Sequence, residues 1–281
     1  MDLALWALAF TVLDWPERRK AEAWAALQAG AEPTLAPDQA RALADLAADL
    51  PRRRREAAAR GARLLLPGDP DEGPAVEALL APLPYPVALW VRGTLPPARP
   101  RVAVVGSREA SRRGRDRARA WAKALTEAGV AVVSGVARGI DGAAHLGALE
   151  AGPTWGILGS GLDHPYPPEH RPLMDRMVEA GGGLLTPFPP EAPPRKWHFP
   201  RRNWLLAAWT DGVLVVEARL RSGSLVTARL ALDLGKELWV CPGSPEDPSA
   251  EGTNFLLRDG AAKICLSPDD LLEDLGHPRS P

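Results

Sequence analysis

Only two cysteines occur in 281 residues, Cys241 and Cys265, and each stands alone inside a strand-like run. That excludes a disulfide framework or a paired-cysteine metal site, and leaves buried thiols in a reducing compartment as the expectation. No stretch of about 18 consecutive apolar residues is present, so no transmembrane span is expected. The apolar start, MDLALWALAFTVLDW, carries Asp2 and lacks both a basic leader and a small-residue cleavage site. It reads as a packed helix, and the protein is expected to be soluble and cytoplasmic. Several motifs are missing as well. There is no GxxxxGK[ST] loop, HExxH pair, Cys/His cluster or GxSxG elbow, and the first Gly-rich turn is not GxGxxG. Metal hydrolysis, serine hydrolysis and dinucleotide redox chemistry lose their usual signatures, and no cofactor or metal is expected. His145, His164 and His170 show no ligand spacing.

What is abundant is arginine, 29 residues against 5 lysines, within a formal net charge of only −1. The distribution is uneven. Residues 101–125 hold Arg101, Arg108, Arg112, Arg113, Arg115, Arg117, Arg119 and Lys123 against Glu109 and Asp116. Residues 233–275 hold ten carboxylates against three cations. A near-neutral total therefore conceals a basic end and an acidic end, as polyanion binding would require.

Residues 1–66 are rich in Ala, Leu and Trp at helical spacing, with prolines at 16, 33 and 37 breaking the pattern into short helices. The run Arg52–Arg55 is expected to open a further helix, with the arginines on a solvated face. Residues 67–84, beginning PGDPDEGP, read as a linker. From 85 to 281 the expectation is a Rossmann-like domain. VALWVRG is read as its first strand. Apolar strands at 102–105, 130–134, 154–158, 183–186, 213–217, 238–241 and 262–266 then alternate with helices at 111–128, 141–151, 168–180, 201–209, 224–234 and 268–275. Such alternation predicts an α/β fold with an extended, doubly wound, mostly parallel sheet, preceded by a small all-α domain.

Ligands of such sheets collect at the carboxyl ends of the strands, where this chain places five unusual turns. Gly106-Ser107-Arg108 offers backbone access, a hydroxyl and a planar fork suited to phosphate, at the start of a helix. SGVARGID supplies Ser134, Gly135, Arg138 and Gly139, with Asp141 expected to cap the next helix. GSGLDHPYPPEH brings two glycines and Tyr166. KWHFPRRNW interleaves Lys196, Arg201 and Arg202 with Trp197, His198, Phe199 and Asn203. Two readings of that stretch stand: a single-strand platform of cations and stacking rings, or a surface loop whose rings anchor it to the core. RLRSGSLVTA places Ser222, Gly223 and Ser224 at a helix start, with Thr227 one turn in, as an anion nest. Glu217 ends a strand near these turns; as a carboxylate it is expected to pair with an arginine, with general-base duty as the alternative.

The six ordered stretches VAVVGSREAS, VVSGVARGIDGAAHLGAL, GSGLDHPYPPEH, FPRRN, VLVVEARLRSGSLVTARLAL and VCPGSPEDPSAEGTNFLLRDGA resemble the DNA-processing protein A (DprA) family, also called Smf. The likeness runs from about residue 85 to 265. It implies a protein that binds single-stranded DNA, protects incoming DNA during natural transformation, helps load RecA recombinase, forms a homodimer and has no enzymatic turnover. Carried over by residue, it places Gly106, Ser107, Arg108, the Ser134–Gly139 turn and the Lys196–Asn203 segment at the DNA. Arg108 and Lys196 would meet phosphate, and Phe199 a base or sugar. The chain departs from the family in having Trp204 where a third cation is usual, and Thr186-Pro187 where Ser-Glu is common. It also ends before the small winged-helix-like domain of many relatives, so functions specific to that module are expected to be absent or supplied otherwise. The alternative function is a Rossmann-like enzyme cleaving a nucleotide N-glycosidic bond. Such proteins use PGGxGTxxE, and RSGSLVTARLAL lacks its acidic residue.

Overall fold

The chain order is α1 Leu3–Val12, α2 Glu17–Gln28, α3 Pro37–Ala59, β1 Arg63–Leu65, β2 Leu89–Gly93, β3 Arg101–Val105, α4 Arg112–Glu127, β4 Ala131–Ser134, α5 Ile140–Ala148 and β5 Trp155–Ile157. A single 3-10 turn, Pro168–His170, leads into α6 Arg171–Glu179. There follow β6 Gly183–Thr186, α7 His198–Trp209, β7 Gly212–Val215, α8 Gly223–Asp233, β8 Glu237–Val240, α9 Glu251–Arg258, β9 Lys263–Ile264 and α10 Pro268–Asp274. This computed structural model describes residues 3–12, 15, 17–31, 33–67, 85–97 and 100–276. The expected linker falls almost wholly outside them, since only Pro67 is described.

One nine-stranded sheet runs in the order β1-β2-β6-β5-β4-β3-β7-β8-β9. The seven strands from β6 to β9 are parallel to their neighbours, while β2 pairs antiparallel with both β1 and β6. The sheet is the Rossmann-like, mostly parallel one expected. Alternation along β3 shows its two covered faces. Val102 and Val104 pack with Ala118, Ala122 and Leu125 of α4 and with Leu271 of α10. Ala103 and Val105 point the other way, into a core shared with Met174 of α6, Leu205 of α7 and Leu225 of α8.

The N-terminal helices belong to that second core. Phe10 meets Tyr85 edge-on at 5.5 Å, and the Ala88 N–H donates to the Thr11 hydroxyl at 2.9 Å. The Arg52–Arg55 expectation needs correction: no new helix opens there. These residues lie inside the 23-residue α3, which carries Pro51 within it. Arg52 bridges Asp49 and Glu56, and Arg53 also reaches Asp49, so the first half of the basic run is paired along its own helix.

In α4 one face is turned to the sheet, with Gly114, Ala118, Ala122 and Leu125 buried. α4 lies directly on α5, and at Gly147 a Cβ would overlap the Arg119 carbonyl. Among the described residues no helix is long and apolar enough to cross a membrane.

Candidate nucleic-acid interface

The chain winds outward from β3 through β4, β5 and β6, then returns to place β7 on the other side of β3. Loops leaving β3 and β7 therefore diverge, and a crevice opens between them at the carboxyl ends of the strands. A cleft of about 430 Å³ occupies that position. It is lined by Gly106, Ser107 and Arg108 after β3, Arg202 and Asn203 of α7, and Ser222 and Gly223 before α8. A much smaller pocket adjoins it, sharing Arg108 and Arg202 and adding Gly135, Arg138 and Phe199. Ser134, Gly139, Lys196 and Arg201 line neither.

The first turn is held from below. The Ser107 N–H donates to the Glu217 carbonyl at 2.8 Å, and the Ser107 carbonyl accepts from Ile140 at 3.2 Å. Gly106 is required by this packing, because a Cβ there would meet Ile140 and the Glu217 backbone. Glu217 itself is buried and, among the described residues, forms no ion pair with an arginine of the kind expected. Its carboxylate accepts from the Ser111 N–H at 2.9 Å and the Ser111 hydroxyl at 2.5 Å, while Ser111 caps α4 by accepting from Gly114. The carboxylate thus secures the start of the arginine helix beside the cleft.

Arg202 is 4% exposed. One guanidinium nitrogen donates to the Gly135 and Ile157 carbonyls at 2.5 Å each, and Nε donates to Asn203 Oδ1 at 3.1 Å. A Cβ at Gly135 would strike that guanidinium, which is why the second turn needs glycine there. Burial lowers the Arg202 pKa to about 10, against the opposing pull of Asp141. Asp141 is buried too, and burial raises its pKa despite the attraction of Arg202. It sits in the first turn of α5 after the cap position, Gly139, and accepts from the Ala137 N–H at 3.4 Å. Nearby His145 donates its Nδ1–H to Thr154 Oγ1 at 2.9 Å, because the Thr154 hydroxyl proton goes to the Val132 carbonyl. Nε2 is left buried without a partner among the described residues, and burial lowers the His145 pKa to about 3.

Above this floor, Arg108 is exposed, and its guanidinium lies 5.1 Å over the Phe199 ring. Phe199 in turn meets Tyr166 at 5.6 Å, and Arg138 lies 6.0 Å over Tyr166. Two rings in contact thus lie between two cations along the smaller pocket, although Arg138 also pairs with Glu169, which raises its pKa. Lys196 is exposed in the segment before α7 and forms no ion pair among the described residues.

Two expected residues face elsewhere. Arg201 donates to the Phe10 carbonyl at 2.5 Å and ties α7 to α1. The buried Ser134 hydroxyl donates to the Val104 carbonyl at 2.6 Å. Trp204, at the position of the missing cation, stacks on Tyr85 at 5.7 Å, within the N-terminal layer. Thr186 stitches its turn by donating to the Ser160 carbonyl at 2.9 Å and accepting from the Phe188 N–H at 3.1 Å. Arg112, Arg115, Arg119 and Lys123 form a stripe along α4, and three of them meet carboxylates: Arg112 with Asp116, Arg119 with Glu150, and Lys123 with Glu127. Ser224 and Thr227 of the expected anion nest line the cleft, and so do Arg219 and Arg221, which sequence reasoning did not single out. Their signal was visible in RLRSGSLVTA. Among the described residues no cluster suited to a metal ion occurs.

Residues 74–276 match the family model of DNA recombination-mediator protein A. Protein Smf of Escherichia coli is 43% identical over 213 residues, which cover 75% of this chain and 56% of that protein. DNA processing protein DprA of Bacillus subtilis is 38% identical over 193 residues, covering 68% of this chain and 64% of that one. The chain thus matches between half and two thirds of the length of these relatives. The X-ray structure of DprA from Streptococcus pneumoniae superposes with a TM-score of 0.73 at 28% identity, covering 98% of this chain and 99% of that one. A structure of DNA processing protein A from Helicobacter pylori, which bears on that protein's single-stranded DNA binding mode, gives 0.66 at 26% identity and covers 76% and 95%. The chain therefore belongs to the DNA recombination-mediator protein A family.

Proposed function

We propose that this protein binds single-stranded DNA in the cleft, protects incoming strands during natural transformation and helps load RecA recombinase onto them. It acts in the cytoplasm as a homodimer, without catalytic turnover. The observation that carries the reading is Arg108: an exposed cation over an aromatic ring, at the strand-order reversal, with no carboxylate in an ion pair among the described residues. A phosphate chain supplies the missing anion and a base supplies the stacking partner, neither of which depends on sequence. Glycosidic cleavage gains no support from Glu217, whose carboxylate is engaged by Ser111. For the second copy of the chain, the edge strand β9, with its exposed Ile264 and the exposed Leu266 that follows it, is the natural place to look.

The test is fluorescence anisotropy of a labelled single strand and the matching duplex in a salt series, with Arg108→Ala and Lys196→Ala alongside. The expected result is preference for the single strand, weakened by salt, and about tenfold weaker binding in each variant with unchanged thermal unfolding. Absence of binding at low salt would overturn the reading and turn attention to mononucleotides.

A further inference from the structure

The two parts of the cleft differ in lining. The smaller pocket contains Tyr166 and Phe199, whereas the larger part has no aromatic residue among its lining side chains. Its far end is built by the start of α8 and offers hydroxyls and cations. Ser222 caps the helix there, its Oγ accepting from the Ser224 N–H at 3.3 Å and lying 2.7 Å from the Ser224 hydroxyl. The carboxylates lining the cleft, Glu109 and Asp141, belong to the first turn and to α5.

Thr227 is the unusual member. It is 2% exposed and lines the cleft. Thr11, Thr126, Thr210 and Thr253, each in or ending a helix, donate their hydroxyls to a carbonyl of the preceding turn. Thr227 makes no such bond among the described residues. The Gly223 carbonyl, its natural acceptor, instead receives the Asn203 side-chain amide at 3.4 Å. Asn203 is itself oriented by Arg202 Nε. The hydroxyl itself is not among the fully enclosed, unpartnered polar atoms, so its open side is on the cleft, where a ligand or water is its partner. Here it borders a helix N-terminus, a favourable place for an anion. Arg221 stands exposed at the same end, in no ion pair among the described residues.

We propose that the α8 end of the cleft is a phosphate subsite, in which the Thr227 hydroxyl, the Ser222–Ser224 turn and Arg221 hold one phosphate group of a nucleic-acid strand. The inference rests on the single-strand reading and divides its labour: phosphate at the hydroxyl end, base at the aromatic end. The phosphate is either an internal phosphodiester or the monoester at a strand terminus.

The experiment compares wild type, Thr227→Val and Arg221→Gln on an oligothymidylate with and without a 5′-phosphate, using anisotropy across a salt series and thermal unfolding. Thr227→Val should bind about tenfold more weakly with no loss of melting temperature. Arg221→Gln should lower the slope of log affinity against log salt by about 0.7. A loss equal for both oligonucleotides assigns the subsite to a phosphodiester, and a loss confined to the phosphorylated one assigns it to a strand end. Should Thr227→Val fail to fold, Arg221→Gln decides alone. Wild-type binding with both variants unchanged would overturn the subsite and leave the single-strand reading standing. Failure of wild type to bind either strand would remove both.

Discussion

The floor and the rim of the cleft use the same residue types in opposite ways. On the floor, the Arg202 guanidinium is enclosed, donates to two main-chain carbonyls and faces a buried Asp141, while a neutral His145 lies close enough to feel its charge. On the rim, Arg108 and Arg221 are exposed and are in no ion pair among the described residues. An arginine in the floor closes the ends of β4 and β5, because its planar fork satisfies acceptors that the sheet leaves open. An arginine on the rim is hydrated until a ligand arrives. The difference teaches that a basic motif is not a uniform basic surface: position in the fold decides which cation is structural and which is available.

The comparison can be broken at either side. Arg202→Ala should cost the most, about 3–5 kcal/mol in urea unfolding, since it strands a buried carboxylate and two carbonyls; a loss below about 1 kcal/mol would show that the floor does not depend on it. Acid is the next strongest probe. His145 has a folded pKa of about 3, below its ordinary value of 6.5, so its contribution is complete above that ordinary value and disappears as pH falls toward 3. Stability should drop by about 3 kcal/mol between neutrality and pH 4 on this account. His145→Asn should be less stable at neutral pH but flatter across that window, and an equally steep acid limb in the variant would refute the assignment. On the rim, Phe199→Leu should weaken strand binding by about 1–2 kcal/mol through lost stacking, with little change in unfolding. Arg119→Gln, on the solvated α4 stripe, should change both binding and stability by less than about 0.5 kcal/mol. A larger loss of affinity there would mean that the strand runs along α4.

The alternation of apolar strands and helices was readable because β3, β4 and β7 are buried on both faces and so carry near-continuous Val, Ala and Leu. Two short elements were not readable. β1 is three residues long and exists by pairing with β2, and α9 begins Glu-Gly-Thr-Asn, the last three weak helix formers, held by the Gly252 N–H donating to the Ala218 carbonyl at 2.7 Å. At the site, the Gly-Ser-Arg turn and the hydroxyl-rich start of α8 were visible as patterns. The division between Arg201 and Arg202 was not, since successive helical residues point about 100° apart and only the packed neighbours show which turns inward. Glu217 was legible as a carboxylate near the pocket, but its partner, Ser111, lies 106 positions away in sequence.

The backbone-to-backbone contact of α4 and α5 at Gly147 bears on how the cleft keeps its shape. Those two helices follow the Gly-Ser-Arg and Ser-Gly-Val-Ala-Arg turns, so their spacing also sets the spacing of the turns at their front ends. With no side chain between them at Gly147, the helices meet like two beams resting on a shared fulcrum. A single methyl there would act as a wedge, prying the beams apart behind the site and swinging the turns that carry Arg108 and Arg138 without touching either one. The mouth of the cleft is gauged from the back.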